Sequence, residues 1–261
     1  MKSLHAGVIQ LDVRSGDVYA NLKKAREHIK RLADSGVRVM VLPEMWSTGF
    51  VNEDTDRLSQ STPGVLDEIS RLAEKAHAII IGSFPEKIGA RIFNTAYVID
   101  EQGTICATYQ KIHLFSPTDE HRWFHRGQRS VVCLTSAGPV GLLICYDLRF
   151  PELCRLLALK GARILIVMAQ WPAVRASHWE TLLAARAIEN QVFVLGANRC
   201  GQDNDLVYAG NSLIMSPYGE TLARIGKRQG SITAVLDFDL LEQFRKTIPC
   251  FKERVPEAYA Q

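Results

Sequence analysis

Three residues with reactive side chains, Glu44, Lys111 and Cys145, each come just after a segment that is predicted to be a β-strand. In an open α/β sheet, residues just beyond the carboxyl ends of strands face the ligand crevice. Taken singly, each has an ordinary structural explanation: a thiol packed in the core, a carboxylate in a solvated turn, or an ammonium group capping a strand. Only the combination indicates chemistry.

The three side chains together cover the roles that acyl transfer from nitrogen requires. A thiol needs a base in order to attack a carbonyl carbon, and a carboxylate can act as that base. The attack creates an oxyanion that an ammonium group and a backbone N–H can stabilise. The leaving amine needs a proton, which the protonated carboxyl group can return.

The elements that position these residues alternate between strands and helices, which predicts a layered α/β protein. Apolar residues at every second position indicate a strand, whereas apolar residues spaced by three to four positions indicate a helix. Ser177 and Glu180 fit a capping box at a helix start. Strands are predicted over residues 6–11, 37–42, 78–83, 95–99, 104–110, 140–144, 164–168, 192–196 and 232–238, and helices over 18–33, 66–76, 151–159 and 177–190, with a hairpin within 206–225.

The polar segment from residue 111 to residue 130 is too long for an ordinary connection, and loops of that length are often functional. It contains His113, His121 and His125. Spacing of four residues between His121 and His125 is compatible with zinc, but no H-E-x-x-H or C-x-x-C motif accompanies it. We therefore expect no metal and place these histidines at a rim.

Composition limits the partners that we expect. A net charge of +3 without a Lys/Arg-rich block does not favour nucleic acid, and no apolar stretch is long enough to span a bilayer. The N-terminus lacks the apolar core of a signal peptide. The six cysteines form no C-x-x-C pair, which is typical of reduced thiols in the cytoplasm.

Three segments of this sequence resemble the signature segments of the nitrilase superfamily of carbon–nitrogen hydrolases, in the same order and with similar wide spacing. The resemblance covers essentially the whole chain and implies one domain, residues 1–261, with a four-layer α-β-β-α sandwich. It also implies a Cys-Glu-Lys triad without cofactor. The segments are residues 42–45 (LPEM), 109–114 (YQKIHL) and 144–151 (ICYDLRFP).

Carried over by resemblance, Cys145 is the nucleophile, Glu44 the general base and acid, and Lys111 the group that stabilises the oxyanion. A second glutamate is common in the loop after the lysine, and Glu120 matches that position, with Asp119 as its neighbouring rival.

The backbone N–H of Tyr146 is expected to be the second oxyanion donor. The resemblance further suggests a homodimer.

Within the superfamily, residues 145–150 (CYDLRF), 171–173 (WPA), 178–179 (HW) and 185–191 (ARAIENQ) look most similar to the omega-amidase branch. Enzymes of that branch hydrolyse the terminal amide of keto-dicarboxylate monoamides such as 2-oxoglutaramate. Arg149 is then expected to anchor the substrate carboxylate, because its planar fork suits carboxylates. The alternative is an ion pair of Arg149 with Asp147 or Glu152 that shapes the turn. Trp171 is expected to wall the pocket or to pack beneath it.

Other substrates and other classes stay open at this stage. N-carbamoyl amines and deaminated glutathione are alternative substrates within the same superfamily. Redox chemistry at Cys145 needs a resolving thiol, for which Cys154 is a poor candidate. A metal-binding loop or a non-catalytic scaffold is the alternative of another class, and the joint presence of the three reactive residues argues against the scaffold.

Overall fold

The computed structural model describes residues 2–258, and the expected domain boundaries at residues 1 and 261 lie outside them. Its strands are β1 (Ser3–Gln10), β2 (Val39–Val41), β3 (Ile79–Ile88), β4 (Arg91–Ile99), β5 (Ile105–Gln110), β6 (Val132–Thr135), β7 (Gly138–Ile144), β8 (Ile164–Ala169), β9 (Phe193–Asn198), β10 (Gln202–Asp203), β11 (Leu206–Val207), β12 (Leu213–Met215), β13 (Thr221–Arg224) and β14 (Gly230–Asp237). Its helices are α1 (Val18–Asp34), α2 (Thr55–Ser59), α3 (Thr62–Ala76), α4 (Pro151–Leu159), α5 (Ala176–Asn190) and α6 (Phe238–Thr247).

Two six-stranded sheets form the centre of the molecule, in the orders β14-β1-β2-β3-β4-β5 and β13-β12-β9-β8-β7-β6. The middle strands of each sheet, β1-β2-β3 and β7-β8-β9, run parallel. Parallel strands bring their carboxyl ends to one edge, so the residues after β2, β7 and β8 can converge there. The fold is the predicted α/β sandwich.

Three apolar layers fill the sandwich. One core cluster lies between the sheets and includes Val41, Ile81, Leu142, Ile166 and Leu195. A second cluster joins the first sheet to α1 and α3, and a third joins the second sheet to α4 and α5. Side chains of the parallel strands are buried on both faces, which explains their continuous apolar runs.

Most predicted elements are confirmed, although β4 begins at Arg91 rather than at residue 95 and α3 at Thr62 rather than at residue 66. Two further expectations are corrected. Strand β3 continues past Ser83 to Ile88, because a nine-residue antiparallel register with β4, from Ile80–Ile99 to Ile88–Arg91, extends it. The predicted capping box is wrong: α5 begins at Ala176, and its N-cap Arg175 makes no side-chain capping bond. A 3-10 turn over Ala173–Arg175 leads directly into this helix, so Ser177 lies inside it.

The cysteines of the described chain are free. Cys106 on β5 and Cys133 on β6 bring their Sγ atoms to 3.6 Å, at the neighbouring edges of the two sheets. No helix within residues 2–258 is long and apolar enough to cross a bilayer.

Candidate active site

Cys145 stands on a sharp turn at the carboxyl end of β7. Its φ is +46°, a left-handed conformation that costs a non-glycine residue energy and recurs at functional sites. The neighbouring Asp147 is fully buried and holds the turn, because its Oδ2 accepts from the backbone N–H of Ile144 at 2.9 Å. The same carboxylate oxygen accepts from the Tyr109 hydroxyl at 2.7 Å, which ties the turn to the end of β5.

Glu44 and Lys111 form a buried ion pair. The Nζ of Lys111 lies 2.9 Å from Oε1 of Glu44, and the side chains are 2% and 1% exposed. Asn94 also donates to Oε1 at 2.8 Å, and the backbone N–H of Gln170 donates to Oε2 at 3.0 Å. Three donors, on β4, just after β5 and just after β8, therefore fix the position of the Glu44 carboxylate.

Glu120 lies on the other side of Lys111. Both of its carboxylate oxygens are 2.9 Å from Nζ, and Oε2 also accepts from the backbone N–H of Phe115 at 2.6 Å. Asp119, its rival, is half-exposed and lies near Arg122, with 3.7 Å between the charged groups. The structure thus distinguishes the two acidic neighbours and puts Glu120 beside the lysine.

The environment sets the protonation of these groups. Burial raises the pKa of Glu44, Lys111 lowers it in part, and the charge of Glu120 raises it again. Burial disfavours the ammonium form of Lys111, but Glu120 and Glu44 outweigh this and hold its pKa above the ordinary value. Burial, followed by the charge of Glu44, raises the pKa of Cys145, so the resting group is a thiol beside a carboxylate.

All four side chains line one cavity of about 530 Å³. This volume suits a small organic molecule. Tyr146, Arg149 and Trp171 line the same cavity, so the residues predicted to be catalytic, to donate to the oxyanion or to bind substrate surround one space.

Arg149 makes neither of the ion pairs considered for it. Asp147 is engaged by Tyr109, the Ile144 N–H and His113 instead. The Arg149 guanidinium lies 4.8 Å from the ring of Trp171, with one nitrogen 3.3 Å from Nδ1 of His178.

The histidines of the polar segment do not converge. His113 contacts Asp147 at 2.8 Å and stacks on Phe150, with 3.6 Å between the rings, while the ring of His125 lies 5.8 Å from that of Phe93. Within residues 2–258 there is no group of three or more His, Cys, Asp or Glu residues that could hold a metal ion.

Several polar residues of the cavity were not predicted, among them Gln170, Arg175 and Asp203. Gln170 follows β8 directly, so its place past a strand end was a usable signal. Arg175 comes four residues after Trp171, and no motif in the sequence distinguishes it from the other arginines. Asp203 comes from the short β10–β11 hairpin, where its carboxylate lies 3.4 Å from the guanidinium of Arg199, four residues earlier, and this short hairpin was not among the predicted elements.

Comparison with known proteins agrees with this geometry. The family model described as carbon-nitrogen hydrolase matches residues 5–246. The chain belongs to the carbon–nitrogen hydrolase family. It is a hydrolase that acts on carbon–nitrogen bonds other than peptide bonds.

Relatives of this hydrolase share nearly its full length. A hydrolase in the agr operon of Staphylococcus lugdunensis is 41% identical over 85% of this chain and 96% of its own. A 2-oxoglutaramate amidase of Bacillus subtilis (strain 168) is 36% identical over 96% of this chain and 97% of its own. Among solved structures, Saccharomyces cerevisiae Nit3, of branch 10 of the nitrilase superfamily, is 30% identical with a TM-score of 0.91 and covers 97% of each chain.

Proposed function

We propose that this hydrolase removes ammonia from the terminal amide of a small carboxylate-bearing substrate, 2-oxoglutaramate or 2-oxosuccinamate. The observation that carries the proposal is the buried Glu44–Lys111–Glu120 chain, which lines the same cavity as the Cys145 thiol. The similarity to a 2-oxoglutaramate amidase over nearly the whole chain supports the choice of substrate.

In the acylation half of the proposed reaction, Cys145 Sγ attacks the amide carbon while Glu44 takes the thiol proton. The raised pKa of Glu44 suits a group that must accept and then return a proton. Negative charge develops on the amide oxygen, where Lys111 Nζ and the backbone N–H of Tyr146 stabilise it. Collapse of this intermediate breaks the C–N bond, and Glu44 protonates the leaving ammonia.

The second half hydrolyses the thioester. Glu44, again ionised, takes a proton from water, and the resulting hydroxide attacks the thioester carbon. The tetrahedral intermediate uses the same oxyanion donors, and its collapse releases the carboxylic acid and the Cys145 thiolate, which regains its proton from Glu44. Water is the only co-reactant.

Glu120 is proposed as a positioning residue. Its two carboxylate oxygens, each 2.9 Å from Nζ, hold the lysine in place. Arg149 is proposed to bind the substrate carboxylate, since its guanidinium lines the cavity and stacks on Trp171.

The test is ammonia release from 2-oxoglutaramate, 2-oxosuccinamate, glutamine, N-carbamoylputrescine and an aliphatic nitrile. We expect turnover of the two keto-amides, loss of turnover in Cys145→Ala, and a thioester adduct on the wild-type Cys145 peptide in quenched samples. Turnover by Cys145→Ala at the wild-type rate excludes the thiol mechanism. Turnover of the carbamoyl compound without the keto-amides moves the assignment to a carbamoyl amidase.

We also propose a homodimer that works in the cytoplasm, on the basis of the family resemblance and the reduced cysteines. Light scattering of the purified protein, with a mass of 29.2 kDa for one chain, tests the assembly. Fractionation of cells tests the location.

A further inference from the structure

A second arginine, Arg175, lines the same cavity as Arg149. Its guanidinium lies 5.5 Å from the ring of Phe115, as that of Arg149 lies 4.8 Å from the ring of Trp171. Neither arginine takes part in an ion pair formed within the described part of the chain. Two half-buried guanidinium groups therefore face a cavity without a protein carboxylate to neutralise them.

The backbone around Arg175 is fixed independently of its side chain. Its carbonyl oxygen accepts from Nε1 of Trp171 at 2.8 Å, and its N–H donates to the carbonyl of Pro172. Trp171 thus contacts both arginines, one through its ring face and the other through its ring nitrogen. Trp171 therefore packs against the guanidinium of Arg149 and holds the backbone of Arg175, whose own guanidinium lies near Phe115.

Carboxylates outnumber cations around the reacting atoms, so an anionic substrate needs additional positive charge in the cavity. Glu44 and Glu120 carry two formal negative charges against the single ammonium of Lys111. Asp203 is offset by Arg199, whose nitrogen lies 3.4 Å from it, but Asp205 adds a further negative charge at the exposed rim. An anionic substrate is repelled by this surplus, and in a partly water-excluded cavity the repulsion is stronger than in bulk water.

We propose that Arg175 is a specificity-determining residue that binds the carboxylate end of the substrate together with Arg149. The proposal rests on the amidase function proposed above and narrows its substrate class to amides with an anionic group opposite the scissile bond. Arginine on an aromatic ring is suited to this, because stacking restrains the side chain while the edge of its planar fork stays free for a carboxylate.

A chain of contacts between Arg175 and Lys111 supports the same role. The ring under Arg175 belongs to Phe115, whose backbone N–H donates to Glu120, and Glu120 contacts Lys111. A substrate bound by Arg175 is therefore held at a defined position relative to the segment that contains Phe115, Glu120 and Lys111.

The experiment compares succinamate, which carries a carboxylate, with neutral butyramide, using the wild type, Arg175→Met, Arg175→Lys and Arg149→Met. We expect Arg175→Met to lower the succinamate-to-butyramide ratio of kcat/KM by about 10- to 100-fold, the usual range for loss of a hydrogen bond to a charged group. The loss should fall mainly in KM, and Arg175→Lys should recover part of it. Arg122→Met, which removes an exposed arginine outside the cavity, is the matched control and should keep the wild-type ratio.

An Arg175→Met ratio within threefold of the wild type overturns the proposal. If the wild type hydrolyses neither of these amides nor either keto-amide, the amidase function fails, and Arg175 is judged by alkylation of Cys145 with iodoacetate and iodoacetamide. In that assay, a lower iodoacetate-to-iodoacetamide rate ratio in Arg175→Met supports anion binding by Arg175. An unchanged ratio contradicts it.

Discussion

Replacing Glu120 with glutamine tests whether this residue positions Lys111. The two oxygens of Glu120 face only donors: Nζ of Lys111 at 2.9 Å from each, and the Phe115 N–H at 2.6 Å from Oε2. Glutamine has one acceptor oxygen, so in either orientation its NH₂ group meets a donor. The substitution keeps the shape of the side chain but cannot keep its bonds.

The size of the effect follows from these contacts. A hydrogen bond to a charged group contributes about 1.5–3 kcal/mol. If about 2–3 kcal/mol is lost from transition-state stabilisation, kcat falls about 30- to 160-fold, since about 1.36 kcal/mol corresponds to a factor of ten. The free energy of unfolding should fall as well, because the ammonium of Lys111 stays buried with one carboxylate fewer.

The assay is steady-state ammonia release from a keto-amide, with circular dichroism to confirm folding and a thermal melt to measure stability. Asp119→Asn is the matched control: it neutralises the adjacent carboxylate, which is half-exposed and outside the cavity, and should stay within twofold of the wild type. A Glu120→Gln enzyme within threefold of the wild type, or an equal loss in Asp119→Asn, refutes the positioning role.

Three further predictions concern protonation, the nucleophile turn and packing. Glu44 must be ionised to act as the base, and burial raises its pKa above the ordinary value of 4.5. Activity should therefore be lost as the pH falls through a value above 4.5. A kcat/KM profile with its acid limb at or below 4.5 contradicts this assignment. Asp147→Asn should lower the free energy of unfolding by about 3 kcal/mol in urea titrations, because buried donors lose a charged acceptor; an unchanged midpoint would show that the turn does not depend on it. Gly196→Ala should destabilise the protein, because the added Cβ would lie 2.7 Å from Leu183 Cδ1. Gly64→Ala, on a helix with open space around it, should stabilise the protein by about 0.4–1 kcal/mol. Melting temperatures that move in the same direction for both variants would be inconsistent with this packing.

The sequence predicted the elements whose signals are local. The apolar runs before Glu44 and Cys145 end close to where β2 and β7 end, because those strands are buried on both faces of their sheets. Lys111 follows the edge strand β5, which is largely exposed, and there the strand end is indicated by the change to a polar segment. The start of α5 and the length of β3 escaped prediction for different reasons. A 3-10 turn removed the need for the Ser177 cap, and the far half of β3 exists only because β4 pairs with it.

The choice between Glu120 and Asp119 shows where local information ends. Both are acidic and adjacent, and the sequence alone favours Glu120 only through family resemblance. In the structure, the left-handed backbone of Asp119, with φ +53°, turns the chain so that Glu120 is buried against Lys111 while Asp119 faces solvent. A single backbone conformation thus separates two otherwise equivalent carboxylates.

Residue types, their order along the chain and the ends of the strands were determined by the sequence itself, because hydrophobic periodicity and chain punctuation are local properties. The meeting of Glu44, Lys111, Glu120 and Cys145 at one cavity was decided only by the tertiary structure, which packs two sheets face to face and brings positions up to 101 residues apart into contact with one space. The same is true of Arg175, whose side chain gains a role from the ring of Phe115 and the cavity beside it.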